Sequence, residues 1–181
     1  MVYTAYVVVL AGLLLLFVLI YNRLVSLRNQ TENAWSQIDV QLKRRYDLIP
    51  NLVEAVKGYM KHEKETLKTV TELRTKLITG NIQDKAKANN QFSNALKSIF
   101  AVAESYPKLK ADTNFLNLQE ELSATENKIS YSRQFYNDAV YSLNTAIQSF
   151  PSNILASLFN FSKKEYFEIE EQAKGPVKVK F

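Results

Sequence analysis

From Met1 to Tyr21 the chain carries no charged side chain, and from Ala5 to Ile20 it is apolar apart from Tyr6, with Gly12 as its one interruption. A helix of that length rises roughly 31 Å, which matches the hydrocarbon thickness of a bilayer. Tyr3 and Tyr6 near one end and Tyr21 at the other fit the aromatic belts found at lipid–water boundaries. A cleavable leader would carry a positive start and a small-residue cleavage site, and neither is present here. The segment therefore reads as an uncleaved anchor occupying residues 1–21. No Lys or Arg precedes it, whereas Arg23 and Arg28 follow at once and Lys43, Arg44 and Arg45 lie beyond. Positive-inside bias predicts a single pass through the cell's inner (cytoplasmic) membrane, with the C-terminal domain in the cytoplasm.

About 160 residues of the 181 remain outside that anchor, enough for one helical core. Gly and Pro occur only four times each, so long helices are favoured over turn-rich sheet. The net charge of +5 is interspersed with 18 acidic residues and nowhere forms a basic block, which excludes the electrostatic footprint of a nucleic-acid binder. An anionic bilayer surface is a sufficient partner for that excess. With no Cys, disulfides, thiolate nucleophiles and Cys-held metals are excluded together.

Pro50, Gly80-Asn81, Pro107, Pro151 and Gly175-Pro176 divide the rest into long pieces. Ile20, Leu24, Leu27, Thr31, Ala34, Ile38 and Leu42 keep helical spacing, predicting that the first helix leaves the membrane without a break. Pro50 kinks or restarts it. Val53, Val56, Met60, Glu63, Leu67, Val70, Arg74 and Leu77 form a second, imperfect stripe, and residues 83–106 a third helix ended by Pro107. The clearest pattern is the fourth: Phe115, Leu118, Leu122, Thr125, Ile129, Ser132, Tyr136, Ala139, Leu143, Ala146 and Phe150 alternate steps of three and four, a coiled-coil-like seam. The predicted fold is all-α: a transmembrane helix continuing into an up-and-down antiparallel bundle of about four long helices over residues 22–150.

Residues 151–181 form a short apolar helix and an extended tail, with Leu155, Leu158, Phe159, Phe161, Tyr166, Phe167 and Phe181 too hydrophobic for a free end. Either this segment folds back over the bundle, or it docks on a neighbouring subunit or protein partner, as extended alternating peptides do.

The string Asn33-Ala34-Trp35-Ser36-Gln37-Ile38-Asp39-Val40-Gln41-Leu42-Lys43-Arg44-Arg45-Tyr46-Asp47-Leu48-Ile49-Pro50-Asn51-Leu52-Val53 resembles the LemA family of bacterial membrane proteins. Tyr21 to Arg28, Val56-Lys57-Gly58-Tyr59, His62-Glu63-Lys64, Tyr136-Asn137, Gln148 to Ile154, Tyr166-Phe167 and the closing Val177 to Phe181 extend the resemblance over nearly the whole chain. It implies an N-terminal anchor and a cytoplasmic antiparallel bundle. A related branch of the family, associated with magnetosome membrane biogenesis, suggests membrane organisation.

The densest polar cluster, Arg44, Arg45, Asp47, Asn51 and Glu54 around Pro50, suits either a phosphate-type anion or a structural or intersubunit ion-pair network. On a continuous helix Arg44 stands roughly 35 Å beyond the membrane, outside the Debye length of about 8 Å, which favours the network. His62 is the only histidine, and His62-Glu63 lacks the second His that a zinc helix requires. No nucleophile elbow or Gly-rich phosphate loop is present. Glu120-Glu121 and Glu168, Glu170 and Glu171 suit solvated helix faces, and acid–base chemistry would require them to converge in a pocket. The expectation is a non-enzymatic assembly protein, without catalytic residue, cofactor or metal, that forms homo-oligomers at the membrane or recruits a partner. The alternative is a ligand-sensing or signal-transducing module with its polar site near the Pro50 kink.

Overall fold

The computed structural model describes residues 1–59 and 64–167, all helix, turn or loop, with no strand among them. Helix α1 spans Val2–Asp47, α2 Ile49–Lys57, α3 Lys64–Thr79, α4 Ile82–Ala103, α5 Pro107–Lys110, α6 Thr113–Gln148 and α7 Ser152–Leu158. The four long helices are α1, α3, α4 and α6, in keeping with the predicted all-α bundle. Packing divides the described residues into two units, Met1–Ser36 with Gln134–Glu165, and Gln37–Arg133 with Tyr166 and Phe167.

In the first unit every side chain from Met1 to Leu19 is exposed, and this stretch is long and apolar enough to cross a membrane. Leu24 is then buried with Ala146, Leu155 and Ala156, and Ile20, Leu27, Ile147 and Phe161 pack around them. Trp35 meets Tyr136 with ring centroids 5.5 Å apart. Pairing Trp35 with Tyr136 and Leu24 with Ala146 sets α1 and α6 antiparallel here. After Gln148 the chain turns at Pro151 into α7, which ends with Asn160 at φ 56°. Phe161 N–H donates to the Ala156 carbonyl at 2.9 Å and Asn160 N–H to the Ser157 carbonyl at 3.3 Å. That pair of bonds is the Schellman arrangement, and Asn tolerates its left-handed position better than most residues do. It reverses the chain and turns Phe161 onto the core.

In the second unit Ile38, Leu42, Ile49, Leu52, Val56, Val70, Leu73, Leu77, Phe92, Leu96, Ile99, Phe115, Leu122 and Ile129 form the buried interior. The helix breaks at Leu48, and Pro50 sits in the first turn of α2, where a missing N–H removes no helical bond. The buried stripe beyond it runs through Leu52 and Val56 and then Val70, Leu73 and Leu77, whereas predicted Val53, Leu67 and Arg74 are only partly covered. Met60 and Glu63 lie outside the described residues. Gly80 and Asn81 make the turn between α3 and α4. A Cβ on Gly80 would stand 2.7 Å from the Lys76 carbonyl oxygen, so only glycine fits, and the Asn81 side chain caps α4 by accepting from Asp84 N–H at 2.8 Å. The third helix ends at Ala103, short of the predicted 106, because Pro107 opens a separate one-turn helix, α5. Asp112 then caps α6 by accepting from Phe115 N–H at 3.0 Å.

Along the predicted α6 seam Phe115, Leu122, Thr125, Ile129, Tyr136, Ala139, Leu143 and Ala146 are buried and Leu118 and Ser132 half-buried, but Phe150 is exposed. The helix ends before it, and its seam ends with it. Ile129→Asp should abolish cooperative urea unfolding by placing a carboxylate in an apolar interior, whereas Ile129→Val should keep it and cost about 1 kcal/mol. Circular dichroism of the detergent-solubilised chain measures both, and a cooperative Asp variant would show that the seam is dispensable.

Candidate functional site

The predicted polar cluster does not converge. Arg44 and Arg45 are neighbours on α1, roughly 100° apart around its axis, and they meet different environments. Arg44 reaches Glu121 at 3.4 Å with both side chains about half exposed, an ion pair worth little to stability. Asp47, Asn51 and Glu54 are exposed, and Glu54 pairs with Lys57 one turn on at 3.7 Å. Asn51 and Glu54 do line an open groove of about 560 Å³ with Asn114, Asn117 and Glu121, whose polar groups are amides and carboxylates with no cation.

Arg45 turns inward and is 1 % exposed. Its Nη1 donates to Asn89 Oδ1 at 2.6 Å and pairs with the Glu126 carboxylate, and Nη2 donates to Ser93 Oγ at 3.1 Å. The Ser93 hydroxyl lies 3.0 Å from both the Asn89 carbonyl and Glu126 Oε2, donating its one proton to either. Underneath, the guanidinium carbon lies 4.8 Å from the centre of the Phe92 ring, the geometry of a cation–π contact. Asn89, Phe92 and Ser93 fall within one turn of α4, and Glu126 follows Thr125 on the margin of the α6 seam, so two helices supply the shell around an arginine of α1. Burial pushes the guanidinium below the ordinary arginine range, and the charge and hydrogen bond of Glu126 oppose that shift. Nε has no partner. A cavity of about 220 Å³ opens beside the group, walled by Leu96, Phe100 and Leu122 as well as Ser93 and Glu126.

Nearby, Lys85 of α4 pairs with Asp39 of α1, and Arg74 lies over the Tyr46 ring at 5.3 Å. Among the described residues no His, Cys, Asp and Glu group is arranged to hold a metal ion. His62, Glu168, Glu170, Glu171 and Phe181 lie outside those residues.

The candidate docking residues separate by environment. Leu155 and Phe167 are buried and Phe161 and Tyr166 partly so, which means that the chain's own packing occupies them, whereas Leu158 and Phe159 remain exposed. Two residues not singled out for this purpose clamp the returning segment. Asn144 donates from Nδ2 to the Lys164 carbonyl and accepts at Oδ1 from Lys164 N–H, both at 2.9 Å. Tyr136 donates to the Glu165 carbonyl at 2.8 Å. An amide beside the apolar seam, next to Leu143, was the one available signal, because an interior Asn requires a partner. Burial, with the Glu165 carboxylate second, pushes Tyr136 up to about 12.

Two outcomes follow. Glu126→Ala should cost about 3 kcal/mol by stranding a buried cation, and adding Arg45→Met should recover most of that loss. A double-variant loss equal to the sum of the Glu126→Ala and Arg45→Met losses, all measured by urea denaturation, would show that the pair is not coupled. For Tyr136, an unfolded phenol ionises near pH 10, so between pH 10 and about 12 the folded state retains more protons and stability falls as pH rises. Tyr136→Phe should remove that part of the alkaline loss, and unfolding midpoints of the two proteins across pH 9–12 measure it.

A sequence model of the LemA family matches residues 34–181. The Protein LemA of Metamycoplasma hominis is 28% identical over 152 residues, covering 83% of this chain and 69% of that protein. Magnetosome protein MamQ 2 of Paramagnetospirillum magneticum is 24% identical over 184 residues, covering 87% of this chain and 68% of its own length. Magnetosome protein MamQ of Magnetospirillum gryphiswaldense is 23% identical over a stretch of the same length and coverage.

Proposed function

The chain belongs to the LemA family, and on that premise we propose that it is a membrane-anchored, non-enzymatic assembly protein, whose helical domain forms homo-oligomers that organise the membrane or recruit a protein partner. The observation that carries this reading is the exposure of large side chains on α6, Leu116 and Tyr131 in one unit and Phe135 and Tyr141 in the other, while the seam residues of each unit are buried. Aromatic side chains are enriched at protein contacts relative to the rest of a protein's surface. Relatives named as magnetosome proteins support a role at a membrane. The polar shell of Arg45 supports a structural part for that group, since its charge is met by Glu126 and its two terminal nitrogens donate to Asn89 and Ser93. Arg23 and Arg28, following an uncharged span, support a cytoplasmic position for the helical domain at the inner membrane. The proposed organisation is an anchor over residues 1–21, a helical domain over 22–150 and a C-terminal segment over 151–181.

Light scattering of the detergent-solubilised chain, corrected for bound detergent, should give a discrete multiple of 20.8 kDa. Tyr131→Lys with Phe135→Lys should reduce it toward one protomer while leaving helicity unchanged. A monomeric wild type would overturn homo-oligomerisation. In intact spheroplasts, protease added outside should spare the helical domain, and its digestion there would reverse the orientation.

A further inference from the structure

Within the first unit, α7 lies against the part of α1 where the apolar span ends. The Phe159 ring is 4.8 Å from Tyr21 and 5.9 Å from Phe17, centre to centre, and Phe161 is 6.2 Å from Tyr21. Phe17 is one helical turn inside Tyr21, about 6 Å along the axis. If residues up to Tyr21 lie in hydrocarbon, Phe159 cannot be in bulk water.

The side of this segment turned away from Leu155 and Ala156 carries exposed apolar side chains beside the uncharged Asn153 and Ser157. Phe150 is 80% exposed, Ile154 59% and Leu158 66%, and Ile154 and Leu158 stand four apart on one face of α7. No charged residue occurs from Ala139 to Ser162. A cation follows each uncharged stretch, Arg23 and Arg28 on α1 and Lys163 and Lys164 after α7, while Asp138 precedes the second. Arg28 places its guanidinium 5.2 Å from the centre of the Phe161 ring. An uncharged tip with aromatic rings, bordered by long cationic side chains, is the composition of a segment seated at the acyl–headgroup boundary.

We propose that the segment from Phe150 to Phe159 is a second membrane contact, with Phe150, Ile154 and Leu158 inserted into the bilayer surface next to the N-terminal span. The bilayer is favoured over another protein because Phe159 is held at the depth of Phe17, so lipid is already the surrounding medium. Transfer of the three exposed side chains from water into lipid adds a favourable apolar contribution. The contact also fixes the exit of α1 at two points, so that the helix leaves the membrane in a defined direction.

The inference rests on the anchored reading, and one experiment separates the two. The chain contains no Cys, so Ile154→Cys and Leu158→Cys each accept a single nitroxide on the full-length protein. In vesicles of phosphatidylcholine and phosphatidylglycerol, collision rates with oxygen and with a water-soluble nickel chelate report depth. Leu13→Cys serves as the hydrocarbon reference and Asp138→Cys as the aqueous one. The oxygen-to-nickel ratio at 154 and 158 should exceed that at 138 several-fold and approach that at 13. A ratio equal to that at 138, with 13 in hydrocarbon, overturns the second contact alone. Weak collision with both reagents means that a protein surface covers the tip, and overturns it too. A label at 13 that reads as water overturns the anchored reading beneath it.

Discussion

Burial of the α6 seam is the constraint on which the rest of the packing depends. Ile129 and Leu122 are buried in one unit and Leu143 and Ala146 in the other, each contributing a few kcal/mol at most. In each unit α6 supplies interior, and α1 presents Leu24 in one and Ile38 and Leu42 in the other. Once the seam faces inward, the opposite side of α6 faces outward, which is why Tyr131 and Tyr141 remain uncovered. The same orientation places Glu126 at the edge of the core, close enough to reach in and still partly exposed to solvent.

That placement makes a buried Arg45 tolerable. A guanidinium removed from water carries a penalty of several kcal/mol, which a nearby carboxylate offsets only when hydrogen bonds satisfy the remaining donors. Asn89 and Ser93 accept from the two terminal nitrogens and the Phe92 face supplies a further electrostatic contact, while Nε stays without a partner. Such a site specifies which faces of α1, α4 and α6 meet, because turning any of the three by a residue removes a partner. The adjacent cavity does not change this, since the charge it borders is already neutralised.

The C-terminal part of the first unit is organised differently, by backbone groups. Extended chain cannot satisfy its own N–H and C=O groups, so Asn144 takes both from Lys164 and Tyr136 takes the Glu165 carbonyl. The Schellman turn at Asn160 sets the direction of return. Hydrophobic residues then divide by register, with Leu155 and Phe161 turned to the core and Ile154 and Leu158 turned away from it.

The all-α class, the apolar span, the breaks at Pro50, Gly80-Asn81 and Pro107, and the α6 seam were legible in the sequence, because each rests on local chemistry: periodic hydrophobicity, a missing N–H, a cap. The fates of Arg44 and Arg45 were not legible. Adjacent residues of one type became a solvated ion pair and a buried charge, since what separates them is a rotation of about 100° relative to helices far away in sequence. For the same reason composition marked the C-terminal segment as too apolar to be free without saying which side chains it buries. Local rules determine what each stretch of this chain forms, whereas the partners of a side chain are a property of the surfaces that packing brings to it, and only the tertiary structure decides them.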